Sequence, residues 1–316
     1  MLVMRIPSSQ SKAMIAIMAA LVCLWFSQGL AYAEDVVPTN ALPTGGQVTA
    51  GNAAIVTDVS SPNAPVLNVN QTSQRAIVNW DKFDLGSAAT VNFNQPNAQA
   101  STLNRISNAN PSYIHGKINA PGEVILVNNA GVYFTKNANI DVGAVVATTH
   151  NISDVDYLAG KANYDRNGAT GKVINEGNIK TSLGGYVALL APEVRNSGVI
   201  VAQMGTVVMA AGERITLNFD PSRHLSSISA TPSAIDALIE NKTAVIAPGG
   251  LIILSARAIN SLVGSVIKQS GTLSASSNDT VLVKKGGRIM LSASNVTLTS
   301  GSRTVARGQE SGGSID

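Results

Sequence analysis

Along most of the chain, apolar residues come in runs of four to seven, alternating or continuous, each closed by Gly, Asn, Pro or Ser. Ala76-Ile77-Val78, Val124 to Val127, Val142 to Ala147 and Leu251 to Leu254 are of this kind. Such a pattern predicts short strands separated by tight turns. A helical stripe is written in one place only. Pro232 to Lys242 (PSAIDALIENK) offers Thr231 or Ser233 as a cap, a proline in the first turn, and Ile235, Leu238 and Ile239 on one side. The spacing there predicts a short helix near 232–242.

The strands repeat. Asn175-Glu176-Gly177-Asn178-Ile179 returns 21 residues later as Asn196-Ser197-Gly198-Val199-Ile200. Each is followed by a glycine and an apolar run, Gly185 to Ala191 and then Gly205 to Ala211. The unit recurs at Asn241 to Val245 with Gly249 to Ala256, and more loosely at Gln269 to Leu273 with Gly286 to Ala293. Self-similarity near 20 residues, with two or three strands per unit, marks a solenoid whose coils bury their apolar faces only by stacking. The fold class expected is all-β, a right-handed parallel β-helix with small extra-helical elements and one short helix. Val187, Leu189, Val207 and Met209 would face the interior, and glycines would supply positive-φ corners. Asn175, Asn196 and Asn241 would stack as an amide ladder, with Gly177 and Gly198 in the turns beside them. A propeller blade needs about 40–45 residues and four strands, and a sandwich would not produce this repeat.

Composition narrows the reading. Only 13% of the 316 residues are charged and 4% aromatic, with 28 Gly and a single Cys. These values argue against disorder and against a Cys-based zinc or disulfide scaffold. The first 33 residues read as a signal peptide: Arg5 and Lys12, the 14-residue apolar run Ala13 to Phe26, then Ala31-Tyr32-Ala33 with cleavage before Glu34. Fourteen residues are short of the ~20 that cross a bilayer, and no later segment is longer. Cys23 lies within this leader, between Val22 and Leu24, so neither lipidation nor a mature thiol is expected. Losing Arg5 and Lys12 from 22 basic residues, against 19 acidic ones, leaves a mature charge of +1. So balanced a chain carries no electrostatic footprint for nucleic acid.

Several blocks then resemble the haemagglutination-activity, or two-partner secretion, domain of filamentous haemagglutinin-like exoproteins. They are Ala41 to Ile55 (ALPTGGQVTAGNAAI), Gln71 to Trp80 (QTSQRAIVNW), Val91 to Ile106 (VNFNQPNAQASTLNRI), Ile114 to Ile118, Val124 to Phe134 (VILVNNAGVYF) and Ala144 to Gly160 (AVVATTHNISDVDYLAG). The resemblance spans about 42–256. It implies a secreted β-helix that an outer-membrane transporter binds through its POTRA domains in the periplasm. The protein would then act at the bacterial surface or outside the cell as an adhesin or structural factor, with host or neighbouring-cell receptors as partners. Members often carry Asn-Pro-Asn-Gly-Ile where this chain has Asn128-Asn129-Ala130-Gly131-Val132. In the family that motif is tied to secretion, which nominates Asn128, Asn129, Gly131 and Val132 for transporter recognition; the same residues also read simply as a turn.

Catalytic chemistry is not written in the chain. Asp165-Arg166-Asn167-Gly168 begins like a calcium loop, but Ala169, Thr170 and Gly171 do not complete it. His115, His150 and His224 lack metal-ligand spacing, and no nucleophile elbow exists. No cofactor, metal or catalytic residue is expected. The expected organisation is a signal peptide at 1–33, a secretion β-helix at 34–220, an extra-helical insert with the helix at 221–243, and further coils at 244–316, cut short after Val296 to Asp316. The rival readings are a β-helical, lyase-like polysaccharide enzyme and a truncated secretion domain with no effector.

Overall fold

The computed structural model describes residues 37–259, 264–277 and 285–316. The expected signal peptide, with Cys23, Ala31 and Ala33, and the expected cleavage position at Glu34 lie outside them.

The described chain is a parallel β-helix of three strand stacks. One stack runs through Ser112–Ile114, Gly131–Phe134, Lys172–Asn175, Glu193–Asn196, Ala237–Asn241, Ser265–Gln269 and Asn295–Leu298, every neighbour parallel and in register. A second contains Val66–Gln71, Thr90–Asn94, Asn178–Thr181, Val199–Val201, Ala244–Ile246, Thr272–Ser274 and Arg303–Val305. A third contains Arg75–Trp80, Ser101–Ile106, Tyr186–Leu190, Thr206–Ala211, Leu251–Ala256 and Arg288–Ser292. Two long strands, Lys117–Asn128 and Asn139–Thr148, run through both the second and third stacks.

Period-2 alternation explains the core. Val187, Leu189, Val207, Met209, Ile252 and Leu254 face inward and are fully buried. The largest interior side chains, Trp80, Phe83, Phe93 and Phe134, sit in the earlier coils, and later coils are filled by aliphatic residues. At the open N-terminal edge, Gln47–Ala50 and Ala53–Asp58 pair antiparallel with the first strands of the third and second stacks. Leu42, Val48, Ala53 and Ile55 pack onto the core there. Backbone groups that would template pairing with another chain are thus occupied.

The repeated glycines work differently from the expected positive-φ corners. A Cβ on Gly205 would lie 1.9 Å from the carbonyl oxygen of Gly185, and one on Gly250 would lie 2.0 Å from that of Gly205. These positions exclude side chains because successive backbones touch. The left-handed residue is the one before: Gly184, Gly249, and in the Gly205 coil Met204 at φ 52°.

The helix expected near 232–242 is absent. Ala237–Asn241 is a strand of the first stack, paired on one side with Glu193–Asn196 and on the other with Ser265–Gln269. Ala237, Ile239 and Asn241 are buried, so the segment uses its period-2 pattern rather than its period-3.6 one. An isolated helix of about this length is marginal, whereas two parallel partners satisfy the whole strand. Among the described residues the α-helix is Asp154–Leu158, capped by Ser153, whose Oγ accepts from the Asp156 amide.

A separate three-stranded antiparallel sheet, Asn163–Asp165, Arg214–Phe219 and Leu225–Ala230, lies outside the coils. Ile215, Leu217 and Leu225 from it, with Tyr157 and Tyr164, form a second core with outward residues of the third stack such as Leu103, Val146, Leu190 and Val208. Full burial is worth about 1.5–3 kcal/mol for each such aliphatic side chain, so this sheet is an integral cover.

Candidate functional site

The Asn128–Val132 segment is the turn from the third stack into the first. Asn128 ends its strand with a fully buried side chain. Its Nδ2 donates to the Asn110 carbonyl at 3.1 Å and to Ser112 Oγ at 3.0 Å, and its Oδ1 accepts from the Ala130 amide at 2.9 Å. Asn129 is exposed at the tip. Gly131 has φ 139°, and a Cβ there would come 2.9 Å from the Lys172 carbonyl oxygen. Val132 enters the core. Four neighbouring residues therefore divide their labour: Asn128 holds the turn, Asn129 faces solvent, Gly131 admits the next backbone and Val132 anchors the strand.

The corner at the end of the first stack carries an amide column. By register it reads Ile114, Phe134, Asn175, Asn196, Asn241 and Gln269. From Asn175 onward each Nδ2 donates 2.8 Å to the amide oxygen of the next coil, ending on Gln269 Oε1. All four amides are fully buried. Asn175 Oδ1 also accepts from the Gly177 amide at 3.2 Å. Gly198 stacks against Gly177, whose carbonyl oxygen a Cβ would meet at 2.1 Å.

Two polar arrangements had no repeat to reveal them. Thr102 Oγ1 donates to Gln71 Oε1 at 2.6 Å, and Gln95 Nε2 donates to Thr102 Oγ1 at 2.9 Å, all within the interior. Trp80 Nε1 donates 3.0 Å to the buried Asn104 Oδ1. These residues lie in the blocks Gln71 to Trp80 and Val91 to Ile106, so those stretches build the first coils. A solvent-facing Asn series also exists: Asn92 Nδ2 donates to Asn68 Oδ1 at 3.2 Å, and Asn119 Nδ2 to Asn92 Oδ1 at 2.9 Å.

His150 is a structural residue. Its Nε2 lies 2.8 Å from the Gly212 carbonyl oxygen, so that nitrogen carries the proton. Burial pushes the imidazole below its ordinary range, opposed by that same bond. Arg105 fixes the neighbouring loop through the Ile152 carbonyl and Asp154. Asp165 is held by Arg214, and Asn167 and Gly168 form a left-handed turn rather than a calcium loop. His115 bonds Thr135, and His224 pairs with Asp220. Among the described residues no three His, Cys, Asp or Glu side chains converge as a metal site would require, and no helix is long and apolar enough to cross a membrane.

Comparison with known proteins places this geometry. A heme/hemopexin-binding protein of Haemophilus influenzae Rd is 30% identical over 229 residues, covering 69% of this chain and 24% of that protein. A second protein of that name, also from Haemophilus influenzae, is 31% identical over 158 residues, covering 50% and 16%. The chain thus spans about a quarter or less of the relatives it matches. The crystal structure of the HMW1 secretion domain from Haemophilus influenzae superposes with a TM-score of 0.64 at 24% identity, covering 83% of this chain and 73% of that one, a likeness of fold. The family model of the TPS secretion domain matches residues 35–302. The chain belongs to that family: it carries a TPS secretion domain, the domain of two-partner secretion exoproteins, a family whose members pass the outer membrane through a TpsB transporter.

Proposed function

We propose that this domain is bound in the periplasm by the POTRA domains of its transporter while still unfolded, with Asn128, Asn129, Gly131 and Val132 in the contact. The exported protein then serves an adhesive or structural role at the cell surface. The observation that carries the reading is the burial of Asn128. In the closed coil its amide is enclosed and fully engaged, so a partner can read that side chain only before the coil forms. An unfolded substrate also suits a fold that assembles coil by coil without cysteines in its mature part. No residue constellation favours a polysaccharide-cleaving reading. The relatives' names describe heme and hemopexin binding, and about three quarters or more of their length lies outside the matched region.

Export of Asn128→Ala and Asn129→Ala alongside the transporter tests this. Recognition of the extended segment predicts that both variants lower the exported amount, although the Asn129 side chain is exposed and hydrogen-bonds no described residue. If Asn129→Ala is exported normally, and Asn128→Ala is exported normally but unfolds more easily, the segment is a turn and nothing more.

A further inference from the structure

Between the outer antiparallel sheet and the third stack lies a cavity of about 300 Å³. That volume is at the lower end for small-molecule sites and suits one six-membered ring rather than a peptide segment. Its walls are aromatic. Tyr157 comes from the helix and Tyr164 from the outer sheet, and Tyr186 meets Phe219 edge-on with ring centroids 5.4 Å apart. Glu123 lies in the floor, its carboxylate accepting from the Tyr186 hydroxyl.

Two features distinguish this cavity from a packing gap. The Tyr164 side chain is 1% exposed overall and lines the cavity, its hydroxyl opening onto that space with no hydrogen bond to a described residue. The Tyr157 hydroxyl, by contrast, is tied to the wall, donating to the Ser101 carbonyl at 2.7 Å. The second feature is charge. Arg75, Lys161 and Arg223 border the cavity against the single carboxylate of Glu123. Lys161 leans toward Asp156 at 3.9 Å. Arg75 stacks over the Tyr157 ring at 5.1 Å and forms no ion pair among the described residues, and neither does Arg223, held at φ 66° on the loop at the cavity mouth.

We propose that this cavity binds a hexuronate, a single acidic sugar residue of a surface polysaccharide. The aromatic walls take the apolar face of a pyranose ring. Glu123 accepts from ring hydroxyls, and the Tyr164 hydroxyl that opens onto the cavity bonds another. Arg75 and Arg223 hold the carboxylate, for which a guanidinium fork is matched in shape. The surplus of cations selects a uronate over a neutral hexose, and the hydroxyl-accepting floor selects it over a simple carboxylate.

The test is calorimetric or NMR titration of the purified chain with glucuronate, galacturonate, glucose and acetate. The expected result is saturable uronate binding, with glucose about tenfold weaker and acetate without effect. Arg223→Gln, on an exposed loop, should weaken uronate binding about tenfold and leave glucose unchanged. Tyr164→Phe, which removes only the hydroxyl, should weaken uronate several-fold, with unfolding unchanged in both variants. Absence of uronate binding, equal binding of glucose and uronate, or uronate binding unaffected by both substitutions would overturn the proposal.

Discussion

Replacing Asn196 by alanine cuts the amide column at its middle. Asn196 is fully buried, accepts from Asn175 Nδ2 at 2.8 Å and donates to Asn241 Oδ1 at 2.8 Å. After Asn196→Ala, Asn175 Nδ2 keeps only a 3.4 Å approach to the Gly177 carbonyl, and Asn241 Oδ1 has lost its donor. A buried polar group stranded in this way costs about 1–3 kcal/mol. Two of them, partly relaxed, make an expected loss of about 3–4 kcal/mol. The solvent-facing series supplies an internal control. Asn92 also makes two inter-coil amide bonds, to Asn68 and from Asn119, but water reaches them. Asn92→Ala should therefore cost only about 0.5 kcal/mol, the low end for a net hydrogen bond. Urea unfolding of the two variants, compared at unchanged m-value, reads the difference directly. Equal losses at the two sites, or an Asn196→Ala midpoint close to that of the parent, would refute the account of the column as a buried, satisfied network.

Further expectations follow from other parts of the fold. Gly205→Ala places a methyl 1.9 Å from the Gly185 carbonyl oxygen and should cost more than about 3 kcal/mol or prevent folding. Gly168→Ala, where a Cβ meets nothing within 4 Å but φ is +81°, should cost only about 1–2 kcal/mol of backbone strain in the same denaturation assay. His150 titrates below its ordinary value in the folded state, so its neutral form is the one the fold accepts. Above about pH 6.5 it is neutral in both states and no stability is lost through it. As the pH falls, the unfolded chain binds the proton first, and stability declines until the depressed folded value is reached. Unfolding midpoints across pH 5–7.5 should show this slope, and His150→Asn should flatten it. Burial pushes the Tyr157 phenol up to about 12, and those of Tyr164 and Tyr186 well above their ordinary value. Phenolate absorbance from these three should therefore appear only as alkali unfolds the protein.

Much of this architecture was legible because stacking forces residues into register. Asn175, Asn196 and Asn241 recur because each occupies the same corner, and Val187 and Val207 because each points into the same interior. Spacing failed where geometry changes locally. The 45 residues between Asn196 and Asn241 hide one coil interrupted by the hairpin Arg214–Phe219 and Leu225–Ala230. Ala237–Asn241 could be read with either period, and only its parallel partners choose the strand. The role of the repeated glycines was hidden as well, since Gly205 is excluded from larger residues by Gly185 on another coil. The Tyr157–Tyr164–Tyr186 cluster could not be read from spacing. Its members come from the helix, the outer sheet and a coil strand, brought together only by the cover. At the Asn128–Val132 turn, sequence nominated Asn128 and Asn129 alike, and burial separates them into an enclosed amide and an exposed one.

The central claim is that this domain directs export through its transporter. The most direct measurement is the amount of the chain reaching the culture medium or cell surface when it is expressed with the intact TpsB partner, with that partner lacking its POTRA domains, and with no partner. The account predicts export with the intact transporter alone and periplasmic retention in the other two strains. Export that is the same in all three, or that persists when the POTRA domains are removed, would contradict it.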